Sequence, residues 1–541
     1  MKFDKFTEAA NEKIAGLFPG AALPRAACNV PPANVRAHVS LPWAMGAAKI
    51  LRKPPLEIAK TAAEAFGKIE GVASAQAVPP GYINIEFTRA ALFAGLAAAI
   101  ADRENFTRLS NPPRERTLLE FVSANPTGPL HMASGRGAAL GDSLARIFRA
   151  LGCPADTEYY VNDAGNQYKL IGISLKARFE GKEPPEDGYQ GDYVKEMAKE
   201  LPARAREWSE EQFSQFAISR LLETHKRDVR DFRVNFDRWF RESELHAADL
   251  SRKTLEKLKA ADKTYEKDGA VWFGSTAEET GEDDKDRVLV RKDGSPTYFL
   301  NDLAYHNDKL NRADKLIDIW GADHHGYVPR MKAGLAALGC KPENFHVLIH
   351  QMVLLNKGGA AVKMSKRAGE FVTLRELMDD VGVDACRFFF ASRTANSHLN
   401  FDIELAKKRS NENPVFYVQY VHARIKSIFR AAGERAIGGH DFSLANYPVP
   451  QQLAPQEEAL AAKLAWFEET LNSCAKDLSP HYLAAYLLEL AGVFHQFYDN
   501  CRVLDETDTA VVQKRLFLCA ASAAIISKGL DLIGVSAPDA M

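Results

Sequence analysis

Two clusters of residues, far apart in the chain, have the chemistry to handle phosphate. Lys363-Met364-Ser365-Lys366-Arg367 sets cations around a Met-Ser core, just after Lys357-Gly358-Gly359. Lysines on a glycine-flanked loop can close on a triphosphate as charge develops on the departing pyrophosphate. A basic run also suits a solvated loop; the Met-Ser core is what sets this one apart. The other cluster is Ala124-Asn125-Pro126-Thr127-Gly128-Pro129-Leu130-His131, continuing through Met132, Ala133 and Ser134 to Gly135-Arg136-Gly137. Its prolines and Gly128 make a turn that aims His131, and a helix starting nearby offers N–H groups and a positive dipole end to an anion. Gly135, Gly137 and Gly141 would let a ligand approach the backbone, although such a stretch also fits a plain strand-to-helix loop.

These groups need a frame. Residues 117–122 read as a buried strand that ends at Ser123. A Pro/Gly turn and a helix over 138–149 follow, the opening of a nucleotide-binding α/β sheet. Glu120 sits inside that apolar strand, where a carboxylate needs a reason. Strand patterns return at 270–273, 288–290, 316–320 and 345–349, after a strongly charged helical stretch over 189–267 that reads as an insertion. Gly321-Ala322-Asp323-His324 ends the strand at 316–320, where an open sheet places nucleotide contacts. From Asn413 onward the spacing is helical, over 415–431, 457–474, 482–499 and 509–532, and predicts a separate helical domain. Before Asn111-Pro112-Pro113-Arg114, a linker that cannot continue a helix, 56–66 has helical spacing and 81–87 alternates as a strand does.

The chain has 541 residues, enough for two to four domains. Its net charge of -2 neither supports nor excludes an RNA partner, because a local basic face is enough. Seven scattered cysteines without a C-x-x-C pair predict free thiols in a reducing compartment. Residues 1–18 form an amphipathic pattern without the apolar centre of a signal peptide, and no long apolar run suggests a membrane span, so a cytoplasmic protein with no membrane partner is expected. His324 and His325 have no ligand-spaced carboxylate or cysteine beside them, so no metal site is predicted.

The two phosphate clusters resemble the signature sequences of class I aminoacyl-tRNA synthetases. Longer strings resemble arginyl-tRNA synthetases in particular: Glu120 through His131, Tyr159 through Gln167, Asn235 through Ser243, Pro296 through Phe299, Asn301 through His306, and Gly321 through Tyr327. The second signature continues as Ala368-Gly369-Glu370-Phe371-Val372-Thr373-Leu374. The similarity runs from about residue 112 to the C-terminus and is weak before it. It implies an α/β nucleotide-binding (Rossmann-like) catalytic domain with a helical insertion over 112–400, a small α+β N-terminal domain over 1–111 and an all-α anticodon-binding domain over 401–541. Removing residues 410–541 should then leave a folded core that binds ATP.

The resemblance also implies an activity, the ATP-dependent activation of L-arginine and its transfer to the 3' end of tRNA(Arg). Magnesium would arrive with ATP, and the protein would be a monomer whose arginine activation needs bound tRNA. His131, Lys363 and Lys366 would handle the phosphates. Tyr298 and Asp302, on one helix face, would meet the guanidinium, while Glu120, Ser123, Asn125 and Gln351 line the rest of the amino acid. Asn125, His131, Ser134, Gly321, Asp323, His324, Met364 and Ser365 would contact ATP. Aromatic residues of the C-terminal helices, such as Tyr417, Tyr420, Phe494 and Tyr498, suit either base stacking or core packing, with Arg424, Lys426 and Arg430 near phosphates.

Two departures stand against the family pattern. Ala133 and Ser134 replace a glycine that makes room for adenine and a histidine that helps hold the phosphates; a neighbour such as Arg136 could supply the missing charge. Residues 39–44 lack the Gly-Asp-aromatic stretch associated with the tRNA elbow. Intact pocket residues favour retained chemistry over a divergent arginine- or tRNA-binding paralogue, or transfer of arginine to another acceptor.

Overall fold

A five-stranded parallel sheet forms the centre of the computed structural model, which describes residues 2–32, 35–274, 285–358, 360–361, 372–435 and 449–541. Its strands lie in the order Phe345–His350, Lys315–Gly321, Thr117–Glu120, Ala155–Val161, Arg238–Arg241. The chain goes from Thr117–Glu120 outward to one edge, then returns to lay Lys315–Gly321 on the other side of that first strand. The strand order therefore reverses between Thr117–Glu120 and Lys315–Gly321, which opens a crevice at their carboxyl ends.

The first strand ends at Glu120, three residues before the expected stop. Val122 and Ser123 take left-handed φ values of 70° and 38°. A β-branched residue is strained there, and the turn folds the backbone into the crevice. The helix after it spans Met132–Ala150, starting six residues before the expected 138, with His131 as its N-cap. Gly135 and Gly141 serve packing rather than ligand approach. A Cβ on Gly141 would lie 2.3 Å from the Phe121 ring, and one on Gly135 2.6 Å from Leu374.

The helical insertion is present as Gly165–Phe179, Asp192–Lys199 and Glu210–Asp231. The strands Ala270–Phe273 and Arg287–Val290 do not join the central sheet. They pair with Thr264–Lys267 in a small antiparallel sheet of their own. In the N-terminal region, Val39–Leu41, Tyr82–Phe87 and Val72–Val78 form a third, antiparallel sheet under helices. Residues 39–41 are all buried there, so this segment is core and presents no surface to RNA.

The C-terminal helices are Pro414–Glu434, Pro455–Ala465, Phe467–Lys476, His481–Asn500 and Thr509–Leu532. The stretch predicted as one helix over 457–474 breaks at Trp466. The Trp466 indole leaves the bundle to donate to the His38 carbonyl at 3.0 Å and to pack edge-on against Phe3. Thr509–Leu532 is long and apolar enough to cross a membrane, which the sequence reading did not register. Here it is the central helix of the bundle, with Leu516, Phe517, Leu518 and Ile526 buried.

This bundle is packed into the rest of the chain. One hydrophobic core runs through Phe6, Leu119, Phe390 and Phe517, from all three regions of the chain. Arg387, fully buried, donates to the Ile533 carbonyl at 2.8 Å, to the Phe232 carbonyl at 2.9 Å and to Asp142. Cutting at residue 410 would remove Ile533 and leave a buried guanidinium short of a partner, so the expected free-standing ATP-binding core does not follow.

Candidate active site

Three neighbouring strands of the central sheet each place a carboxylate on the same buried row. Glu120 is in register with Asp318 on one side and with Glu158 on the other. All three side chains are buried, and such a row needs counter-charge. The helix Tyr298–Arg312 supplies it from one face. Lys309 donates to Glu120 Oε2 at 2.6 Å and to Asp318 Oδ1 at 2.7 Å. Arg312 pairs with both oxygens of Glu158, at 3.0 and 2.9 Å, and Tyr305 donates to Glu158 at 2.7 Å. Burial opposes the Lys309 charge, but Asp318 and Glu120 outweigh it and hold the lysine pKa above its ordinary value. Burial likewise opposes the Asp318 charge, yet Lys309 and His306 keep that carboxyl below the usual range. Glu120, His306 and Asp318 have the composition of a metal triad. The ammonium of Lys309 already bridges its two carboxylates, so the cluster reads as an internal ion pair network.

The amino end of the same helix faces the crevice. A cavity of about 160 Å³ is lined by Glu120, Ser123, Asn125, Tyr298, Asp302, Gly321 and His324, together with Tyr160, His306, Trp320, Tyr327 and His350. Tyr298 and Asp302 share it as their i,i+4 spacing predicts. Tyr327 donates to Asp302 Oδ2 at 2.7 Å. Burial raises the Asp302 carboxyl to about 7, against the Tyr327 hydrogen bond that lowers it. A half-buried carboxylate rimmed by two tyrosines has the chemistry to receive a cation such as a guanidinium. Ser123 donates to Glu120 Oε1 at 2.8 Å and accepts from the Tyr160 N–H, so the strained turn fixes one oxygen of the Glu120 carboxylate while Lys309 holds the other. Asn125 donates to Gln167 at 2.6 Å.

Other predicted residues stand outside this cavity wall. The N–H of Ala133 donates to His131 Nδ1 at 3.0 Å, at the amino end of Met132–Ala150, and His131 also bridges in antiparallel fashion to Thr373. The Ser134 N–H donates to the His131 carbonyl. Asp323 follows the strand end and its carboxylate lies 3.6 Å from His324. Gln351 is tied by its backbone, donating to the Ala395 carbonyl and accepting from Arg136 at 2.7 Å. Arg136 is fully buried, and its second bond goes to the Thr394 carbonyl. It is therefore committed to the scaffold and does not replace the charge missing at Ser134. Lys363, Met364, Ser365, Lys366 and the residues through Phe371 lie outside the described residues.

The helical insertion holds the first phosphate cluster in place, which the sequence did not reveal. The Tyr159 hydroxyl lies 2.9 Å from the Ala124 carbonyl and 3.0 Å from His225 Nδ1. His225 Nε2 lies 2.7 Å from the Gly128 carbonyl, and Tyr193 donates to the Thr127 carbonyl at 2.6 Å. Far from the crevice, a groove of about 490 Å³ in the C-terminal bundle is lined by Arg424, Arg435, Tyr498 and Arg502. Arg424 stacks over Tyr498, 4.8 Å from the ring centre, and Tyr417 stacks on His495 at 4.9 Å. Lys426 is instead paired with Asp539, and Phe494 and Phe497 are core.

A parallel sheet whose strand order reverses beside Glu120, with a phosphate-type turn on one side of the crevice and a carboxylate pocket on the other, defines a class I aminoacyl-tRNA synthetase catalytic domain. Residues 96–389 match the family profile "tRNA synthetases class I (R), catalytic domain", residues 4–87 match "Arginyl tRNA synthetase N terminal domain", and residues 418–541 match "DALR anticodon binding domain". The chain is 54% identical to the arginine–tRNA ligase of Elusimicrobium minutum over 528 residues, 97% of each chain, and 43% identical to that of Nitratidesulfovibrio vulgaris over 90% of each. The solved Thermus thermophilus arginyl-tRNA synthetase superposes with a TM-score of 0.81 at 24% identity, covering all of both chains. The chain belongs to the arginyl-tRNA synthetase family.

Proposed function

We propose that the crevice joins L-arginine to ATP and then passes the arginyl group to tRNA(Arg). The observation that carries this reading is the enclosed Asp302 carboxylate between Tyr298 and Tyr327, on the helix face that also neutralises the Glu120 row. The guanidinium is held by Asp302 and Tyr298, and the α-amino group by Glu120, Ser123 and Asn125. One carboxylate oxygen of arginine attacks the α-phosphorus of ATP, and the bond to the β-phosphate oxygen breaks with loss of pyrophosphate. A terminal ribose hydroxyl of tRNA then attacks the arginyl carbonyl and AMP leaves. Both steps are driven by positioning and charge stabilisation, without a covalent enzyme intermediate.

His131, Lys363 and Lys366 act on the phosphates, with Met364 and Ser365 in the same loop and magnesium brought by ATP. Gly321, Asp323 and His324 take the nucleoside, with Ser134 close to the phosphates. Gln351 contributes through its position beside the crevice. We assign residues 1–111, 112–400 and 401–541 to N-terminal, catalytic and anticodon-binding domains, in a cytoplasmic monomer. The groove of Arg424, Arg435, Tyr498 and Arg502 takes unpaired tRNA bases and their phosphates. Charging of a tRNA(Arg) transcript with radiolabelled arginine tests the whole reading: steady ATP-dependent incorporation is expected, and binding of arginine and tRNA without incorporation would replace the ligase by a non-catalytic binder.

A further inference from the structure

Building on the arginyl-tRNA synthetase reading, we propose that His350 positions the nucleoside of ATP, from beside the helix in which the first signature lacks its histidine. His350 ends the strand Phe345–His350 at the carboxyl edge of the sheet, in register with Gly321. Both residues line the cavity. The ring reaches across to the signature helix. A Cβ on Gly137 would lie 3.4 Å from His350 Nε2 and 3.7 Å from its Cδ2. Gly137 is one turn beyond Ala133 and adjoins Ser134 at i,i+3, so all three lie on one helix face. The family places a histidine at 134. Here the imidazole arrives from the opposite wall and rests on that face.

Its polar atoms support a ligand role. His350 Nδ1 is sealed from solvent beside the Gln351 backbone and makes no well-formed hydrogen bond among the described residues. A polar atom in that state costs stability and calls for an explanation. Burial, and next the Arg136 guanidinium, hold the ring pKa down to about 4. The imidazole is neutral at pH 7, with one N–H and one acceptor nitrogen. That suits a base edge or a ribose hydroxyl and not a triphosphate. His350 therefore replaces the missing histidine in place and not in charge, and the phosphates stay with the other signature residues.

The test is a binding cycle on the full-length protein, read by calorimetry with a non-hydrolysable ATP analogue and by KM for ATP. His350→Ala is expected to weaken nucleotide binding roughly tenfold, the worth of a hydrogen bond with its packing, while arginine affinity stays within about twofold. His350→Phe keeps the ring volume and should show the same loss, which covers the case in which the alanine variant does not fold. Adding Ala133→Gly with Ser134→His should recover most of the loss in the His350→Ala background and benefit that background more than the parent. Folded His350 variants that bind the analogue as the parent does would overturn the proposal, as would a reversion whose benefit is equal in both backgrounds. Failure of the parent to charge tRNA would count against the synthetase reading alone, because the nucleotide-binding cycle is read without it.

Discussion

Lys309 donates a 2.6 Å hydrogen bond to Glu120, and its ammonium is closed off from water. The carboxylate that family resemblance assigns to the substrate is thus already the partner of an internal cation. On the proposed reading Glu120 would offer arginine a fixed acceptor rather than a free negative charge, and the charge left for the guanidinium is that of Asp302.

Replacing Lys309 by Met should unbalance the carboxylate row. Removing one member of a buried ion pair costs roughly 3–5 kcal/mol. A lowered midpoint in urea unfolding, partly restored by adding Asp318→Asn, is the expected result. A variant as stable as the parent would mean that the row is neutralised another way.

On the proposed reading, Asp302→Asn removes the charged partner of the guanidinium. A charge-assisted hydrogen bond is worth about 1.5–3 kcal/mol, so the arginine Kd should rise by one to two orders of magnitude. Equilibrium binding of labelled arginine decides it, and unchanged affinity would show that the guanidinium lies elsewhere.

Asp302 also sets a pH dependence. Burial raises its carboxyl to about 7 in the unliganded fold, and on the proposed reading arginine needs the ionised form. Arginine affinity should be level above pH 8 and fall about tenfold per unit well below pH 7, a dependence that Asp302→Asn abolishes. The stability effect has the opposite sense. Between the ordinary aspartate pKa and 7 the folded state holds a proton that the unfolded chain has lost, so this group makes the free protein less stable as pH rises. Asp302→Asn should therefore raise the unliganded Tm at pH 8 while weakening substrate binding.

Binding of tRNA should weaken with salt. If the Arg424 groove meets a few phosphates, affinity should drop on the order of tenfold between 50 and 200 mM salt by counterion release. Arg424→Ala should lower the slope of log affinity against log salt by roughly one. A filter-binding titration with no salt dependence would remove the groove from the RNA surface.

The sequence showed the ends of the site better than its middle. Tyr298 and Asp302 came from the family resemblance, and their i,i+4 spacing on one helix face accounts for both lining the cavity. The strands at 117 and 316 stood out by apolar runs and turns. Asp318 carried the same signal as Glu120, a carboxylate in an apolar strand, yet its partner Lys309 looks like any surface lysine until the helix is laid on the sheet. The grip of Tyr159, Tyr193 and His225 on the turn at 124–128 joins residues distant in sequence, and no local pattern encodes it. The glycines at 135 and 141 were read as ligand contacts because a missing side chain does not say what fills the space; here Leu374 and Phe121 fill it.

Arg387 has a consequence for synthesis. Its bond to Ile533 spans 146 residues of sequence. At ribosomal speeds of about 5–20 residues per second, roughly 7–30 s pass between the making of the arginine and the making of its partner. During that interval the guanidinium cannot reach its final state, and the helix that carries it cannot seat fully beside the sheet. The nascent catalytic region must wait in a looser form, hydrated at Arg387, until the last helix arrives to lock it.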